Sequence, residues 1–184
     1  KALKRRIEQR TKREGGDTRN IKTGHGGIRD IEFVIQFLQL LNGGDLPEVR
    51  TGNTLDAIVN LERVGCLTMQ ERSLLEANYR FLRKIEHCLQ IMFDLQTYTL
   101  PETSDELAKL AIRTGYERMS KQAALKAFQA DYATNTELNR KMLDHLLHDA
   151  FGEQEEAEPE VDLVLDPEPA AELIDSKLGK YGFR

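Results

Sequence analysis

A chain of 184 residues, 40% hydrophobic and 31% charged, suits one well-packed soluble domain plus a tail and is too short for two sizeable ones. No apolar run approaches the roughly 18–20 residues that span a bilayer, and no basic-then-apolar leader marks secretion. The net charge of −5 hides an asymmetry: residues 1–22 carry nine Lys/Arg against three Asp/Glu, and residues 153–175 carry ten Asp/Glu and no Lys/Arg.

Lys1 is not a methionine and Arg184 falls in a helix-like stretch, so both ends are expected to be cut points in a longer polypeptide. Cys66 and Cys88 form no C-x-x-C pair, which argues against a disulfide framework or a structural zinc site and fits a reducing cytoplasm.

Residues 1–13 are helix-favouring and basic, with only Leu3 and Ile7 as an apolar seam. Residues 14–27 are rich in glycine and polar groups and read as loop. A helix is expected from Ile28 to Leu41, ended by Asn42-Gly43-Gly44. Pro47 marks a connector. A second helix starts near Thr54 under an Asn53 cap, buries Leu55, Ile58, Val59 and Leu61, and stops at Gly65. Thr68 with Glu71 forms a capping box that opens a long helix to about Gln96, carrying Leu74, Leu75, Phe81, Leu82, Ile85, Leu89, Met92 and Leu95 at helical spacing.

Thr103 with Glu106 opens a short helix to Gly115, and Ser120 caps another long helix to about Phe151. Its apolar positions are Leu125, Phe128, Tyr132, Leu138, Met142 and Leu146. Residues 152–168 are acidic, hold two of the five prolines and read as a solvated linker. Residues 170–181 look helical again behind Pro169, and Val161–Leu165 is the one candidate strand. The expectation is an all-α bundle of about five to six helices, with long antiparallel members.

The most informative stretch is Asn20 to Phe33, N-I-K-T-G-H-G-G-I-R-D-I-E-F. Gly24, Gly26 and Gly27 stand just before a helix start, where glycine lets backbone approach closely and unpaired N–H groups attract anions. Lys22, His25 and Arg29 add side-chain donors, so these parts suit a phosphate or a carboxylate. A glycine-rich turn alone is weak evidence, since most such turns only redirect the chain.

The helix that follows is apolar around most of its circumference, and its polar residues Arg29, Glu32, Gln36 and Gln39 collapse into one stripe roughly 80° wide. A helix that apolar is expected to be buried on nearly all sides. Its stripe is then either a narrow solvated edge with an Arg29–Glu32 ion pair or the lining of a functional groove. Asp30 and Glu32 point about 160° apart and cannot share a metal ion, so Asp30 is read as a first-turn carboxylate favoured by the helix dipole.

A second polar cluster, Arg83, Glu86, His87 and Gln90, occupies neighbouring parts of one face, where surface or interhelix hydrogen bonding explains it. His145 and His148, with Asp144 and Asp149 near, fit a solvated helix face. No metal site is expected.

Residues 20–40 resemble the glycine-rich signature of glutamine synthetase adenylyltransferases. The likeness continues through Arg50, Asn53-Thr54-Leu55, Ala77–Gln90, Gln96-Thr97 and Leu100-Pro101, covering roughly residues 15–150; a looser likeness to uridylyltransferases of nitrogen signalling is confined to Lys22–Asp30. The resemblance implies a bifunctional enzyme with two nucleotidyltransferase domains, each followed by a helical domain. One half attaches AMP from ATP to a tyrosine of glutamine synthetase, and the other removes it by phosphorolysis.

By that resemblance residues 1–19 are the tail of a catalytic domain, 20–151 a helical domain, 152–168 an acidic linker and 169–184 the start of the next domain. This placement favours the de-adenylylating half. Magnesium, ATP, ADP and phosphate would be bound mainly by the catalytic domain, and the implied partners are glutamine synthetase, a nitrogen-signalling regulatory protein and the neighbouring nucleotidyltransferase domains.

The sequence departs from the family's catalytic domains, which carry a Gly-Ser turn and an Asp-x-Asp strand, because it has neither. His25 stands where a small or basic residue is more usual. The fragment alone is therefore expected to be inactive and to support the nucleotide cleft through Lys22, Arg29 and the loop amides, with Glu32 holding Arg29. A regulatory protein-interaction module and a plain spacer are the alternatives. A nucleic-acid role is disfavoured, since the basic patch is confined to one terminal stretch without interleaved aromatics.

Overall fold

The helix starts follow the side chains that the sequence marks for capping. Asn53 Oδ1 accepts from the N–H groups of Leu55 (2.9 Å) and Asp56 (3.3 Å). Thr68 and Glu71 satisfy each other reciprocally, Thr68 N–H donating to Glu71 Oε2 (2.7 Å) and Glu71 N–H to Thr68 Oγ1 (3.2 Å). Glu106 N–H donates to Thr103 Oγ1 (3.3 Å), and Ala123 N–H to Ser120 Oγ (3.4 Å). Each cap contributes about 1 kcal/mol by pairing donors that the first helical turn leaves unmet.

The computed structural model describes residues 19–93 and 97–152. The readings of residues 1–18, the helix exit at Gln96, the acidic linker, the Val161–Leu165 strand and the terminal helix lie outside the described residues.

Among those described, the elements are α1 (Ile28–Asn42), a 3-10 turn (Pro47–Val49), α2 (Thr54–Arg63), α3 (Met69–Phe93), α4 (Ser104–Ala111), a π turn (Ile112–Tyr116) and α5 (Lys121–Gly152). The only strand-like pairing among them is one bridge between Asn20 and Thr99. The fold is an all-α bundle. Helix α1 packs on α2, α3 and α5, while α3 also touches α2, α4 and α5. One continuous core results, with Ile21, Ile28, Ile31, Ile58, Leu82, Ile85, Leu89, Leu110 and Phe128 fully enclosed.

Several sequence expectations need correction. Helix α1 buries Ile28, Ile31, Val34, Ile35, Phe37 and Leu38, but Leu40 is 83% exposed and Leu41 53%. Apolarity marks which side chains favour burial, and among the described residues none covers these two. Leu55 and Val59 are only half-buried, and Ala57 takes the enclosed place on α2. Leu138 on α5 is exposed, while Asn139 beside it is buried.

The end of α1 is not a left-handed glycine cap, for Gly43 keeps a φ of −67°. Backbone and side chains share the carbonyls at this end, Gly43 N–H donating to Gln39 O (2.7 Å) and Leu46 N–H to Asn42 O (2.9 Å). Asn42 Nδ2 donates to Leu38 O (2.9 Å), and Arg50 donates to the carbonyls of Gly43 (2.5 Å) and Gly44 (3.0 Å). Gln39 leaves the polar stripe to tie α1 to the connector, donating to Val49 O (2.6 Å) and Thr51 O (2.9 Å).

Candidate functional site

The glycine-rich loop is tied up within itself. Asn20 Oδ1 accepts from the N–H groups of Lys22 (3.0 Å) and Thr23 (2.9 Å), the local turn that asparagine favours. Gly24 N–H donates to Asn20 O, Gly27 N–H to Gly24 O, Ile28 N–H to Ile21 O and Arg29 N–H to Lys22 O. Gly26 N–H donates to Asp30 Oδ2 (2.7 Å). The backbone donors at Gly24, Gly26 and Gly27 therefore have partners inside the protein, and the expectation that they cradle an anion does not survive this geometry.

The glycines serve shape. Gly26 has a φ of +67°, and a Cβ there would lie 1.8 Å from the carbonyl oxygen of Thr136 on α5. A Cβ on Gly27 would lie 2.8 Å from the carbonyl oxygens of Gly24 and Ile21. The close approach that glycine permits is thus to the protein's own backbone.

Two buried amides complete the lock. Asn139 Nδ2 donates to Gly26 O (2.8 Å), and Asn78 Nδ2 on α3 donates to Asn139 Oδ1 (2.7 Å). The sequence reading missed both residues. The available signal was their phase: Asn78 falls between Leu75 and Leu82, and Asn139 precedes Leu143 and Leu146 by four and seven, so each puts a polar group on a core-facing stripe.

Asp30 does more than meet the helix dipole. Burial pushes its carboxyl above the usual carboxylate range, while the Gly26 amide and the charges of Arg140 and His25 pull it back. Lys22 is half-buried, with Nζ 4.2 Å from the centroid of the Tyr98 ring, a cation–π contact. Backbone bonds bring Tyr98 there: Ile21 N–H donates to Tyr98 O and Leu100 N–H to Arg19 O. His25 is exposed on the rim of a groove of about 640 Å³, beside Pro101, Phe128, Tyr132 and Arg140.

Arg29 is exposed on the first turn of α1, and Glu32 follows one turn later, half-buried. Tyr79 Oη donates to Glu32 Oε1 (3.0 Å). Burial raises the Tyr79 hydroxyl above its ordinary pKa; a hydrogen bond with Thr54 opposes this, and the Glu32 charge adds to it. Glu32 and Tyr79 line a second, shallow groove of about 650 Å³ with Asn53, Thr54, Arg80, Arg83 and Lys84. Arg83 also pairs with the buried carboxylate of Glu86 at 2.6 Å. His87 is exposed on α3 and Gln90 half-buried.

The structure therefore joins Glu32 of the first polar cluster to Arg83 of the second, and puts His25 on a separate groove. Among the described residues no group of three or more His, Cys, Asp or Glu gathers as a metal site. The carboxylates nearest the loop are already engaged, Asp30 by Gly26 and Glu32 by Tyr79. These residues do not fit magnesium. Among the described residues no helix is long and apolar enough to cross a membrane.

Fold and loop together define the class: an all-α bundle whose first long helix is entered through a glycine loop locked to its last. The chain belongs to the GlnD PII-uridylyltransferase family, whose model matches residues 1–147. That match reaches far beyond Lys22–Asp30, to which the uridylyltransferase likeness was expected to be confined.

Curated relatives carry the name bifunctional glutamine synthetase adenylyltransferase/adenylyl-removing enzyme. The Vibrio parahaemolyticus protein is 48% identical over 99 residues, which is 54% of this chain and 10% of the relative. The Bordetella pertussis protein is 42% identical over 123 residues, 64% of this chain and 13% of the relative. The Brucella suis protein is 40% identical over 119 residues, 62% and 12% respectively. The chain spans about a tenth of the length of the curated relatives it matches.

Proposed function

We propose that this chain is a helical domain of a bifunctional glutamine synthetase adenylyltransferase and de-adenylylating enzyme, and that it completes the nucleotide cleft of an attached nucleotidyltransferase domain. The names of the relatives support adenylyl transfer to glutamine synthetase and adenylyl removal; in the proposed parent enzyme the AMP comes from ATP, is carried on a tyrosine and leaves by phosphorolysis. Residues 1–19 would end the preceding catalytic domain, 20–151 form the helical domain, 152–168 link onward and 169–184 begin the next. Magnesium, ATP, ADP and phosphate belong to the catalytic domain, in a cytoplasmic enzyme answering to a nitrogen-signalling regulatory protein.

One observation carries the reading. The Tyr79–Glu32 hydrogen bond draws Glu32 of α1, one turn from Arg29, and the basic turn of α3 into one groove. In this scheme Lys22 and Arg29 face the phosphates, Glu32 anchored by Tyr79 fixes the wall, and Arg83 extends the positive surface. His25 stands apart on its own groove. Donors held in place before reaction stabilise developing charge without reorganising, and a forked guanidinium suits phosphate oxygens.

Arg29→Ala in the full-length enzyme is expected to lower phosphorolytic de-adenylylation on the order of tenfold or more, with circular dichroism and thermal midpoint unchanged. Wild-type turnover in that variant would refute the cleft role. A protein-interaction module is the second reading, favoured by exposed Leu40, Met69 (73%) and Ile91 (66%). Cross-links from a partner protein along 70–150, with none near 20–40, would support it over the first.

A further inference from the structure

The buried amides behind the glycine loop have a role that the fold alone does not require. A folded bundle needs an apolar filling at these two positions, and buried amides cost free energy unless each is paired. Here both are enclosed, Asn139 being 2% exposed and Asn78 5%. Their hydrogen bonds run in one direction, from Asn78 Nδ2 to Asn139 Oδ1 and from Asn139 Nδ2 to Gly26 O. Asn78 Nδ2 also reaches Asn135 O at 3.4 Å.

The chain of bonds ends on Gly26, whose backbone already abuts Thr136 of α5. From Gly26 the position is passed on in both directions. Arg29 N–H donates to Lys22 O and Ile28 N–H to Ile21 O, so the segment entering the loop and the helix leaving it are bound to each other. Gly26 N–H itself donates to Asp30 Oδ2 (2.7 Å), so a shift of Gly26 is passed to the first turn of α1, where Arg29 stands and its N–H holds Lys22 O.

We infer that Asn139 is a positioning residue, which sets the register of Lys22 and Arg29 through Gly26, with Asn78 holding it from α3. For its consequence in turnover this rests on the cleft reading above; the setting of the loop itself does not.

Asn139→Asp tests it with little change of volume. The ionised carboxylate still accepts from Asn78 but turns an oxygen toward Gly26 O, acceptor against acceptor. Its protonated form regains an O–H donor and the amide's bonding pattern. Burial raises the pKa of such a carboxyl, so the recovery falls in an accessible range.

In the full-length enzyme Asn139→Asp is expected to raise the KM for inorganic phosphate on the order of tenfold over wild type at about pH 8, with a smaller change in kcat. The ratio to wild type should return toward one near about pH 5.5. Asp30, His25, Arg140, Asp144 and His145 are the same in both proteins, so the ratio to wild type isolates the new carboxyl. Asn139→Ala, which cannot regain a donor, should show the raised KM at both values, and it carries the test if the aspartate variant does not fold.

Hydrogen exchange of the 21–29 amides in this 184-residue chain reads the loop directly. Faster exchange in either variant with an unchanged phosphate KM upholds the positioning and refutes the cleft reading. Wild-type exchange in both folded variants, or an Asn139→Asp defect that does not recede at low pH, overturns the inference.

Discussion

Gly26 shows how a glycine earns its place without touching a ligand. Its φ of +67° is one that a side chain disfavours, and a methyl group there would overlap the Thr136 carbonyl at 1.8 Å. Gly26→Ala combines the left-handed backbone cost with overpacking against main chain that cannot step aside. It should destabilise the fold by about 3 kcal/mol, read from urea unfolding of the 184-residue chain. A loss below about 1 kcal/mol would mean that the loop can move off α5. The motif is visible in the sequence as a loop before a helix, but its cause is not. Thr136 and Asn139 lie more than a hundred residues away, and nothing local to either announces the contact.

Elements are where the sequence speaks most clearly, because capping is local. Asn53, Thr68 with Glu71, and Thr103 with Glu106 each start a helix as their spacing predicts. Ends and faces are harder to read. Gln39 looks like a member of the polar stripe until the 3-10 turn supplies two carbonyls for it. Leu40 looks like core until the last turn of α1 is found in solvent.

A surface tie between elements gives a pH test at this scale. Lys109 and Lys121 both meet Asp105, joining α4 to the start of α5, and they hold its carboxyl down at about 2, below the ordinary 3.8. A lowered folded-state pKa contributes stability above the unfolded value, and that contribution is lost as pH falls through the folded one. The tie should therefore persist at pH 3.8 and fade toward about 2. A carboxyl-carbon NMR titration of Asp105 is expected to give a midpoint near 2, moved upward by Lys121→Ala. A midpoint at 3.8 in the unaltered chain would show that water screens the pair completely.

At the scale of the whole molecule, the sequence places two polar clusters on two helices, and packing decides what they become. The 47-residue separation of Glu32 and Tyr79 is closed by one hydrogen bond, in a groove that Glu32 shares with Arg83, while His25 lies on another. All-α architecture is readable from periodicity because each helix carries its own apolar stripe. Which stripes meet depends on nonlocal packing, and the sequence alone left the grooves unresolved. The most direct measurement is a structure of a longer protein that includes the nucleotidyltransferase domain proposed to precede residue 20. Arg29 and the Glu32–Tyr79 groove are predicted to face that domain's metal-binding carboxylates across a shared cleft. An interface that turns this groove to solvent, or buries it against a non-catalytic surface, would contradict the cleft role and leave a helical bundle with its loop locked for stability alone.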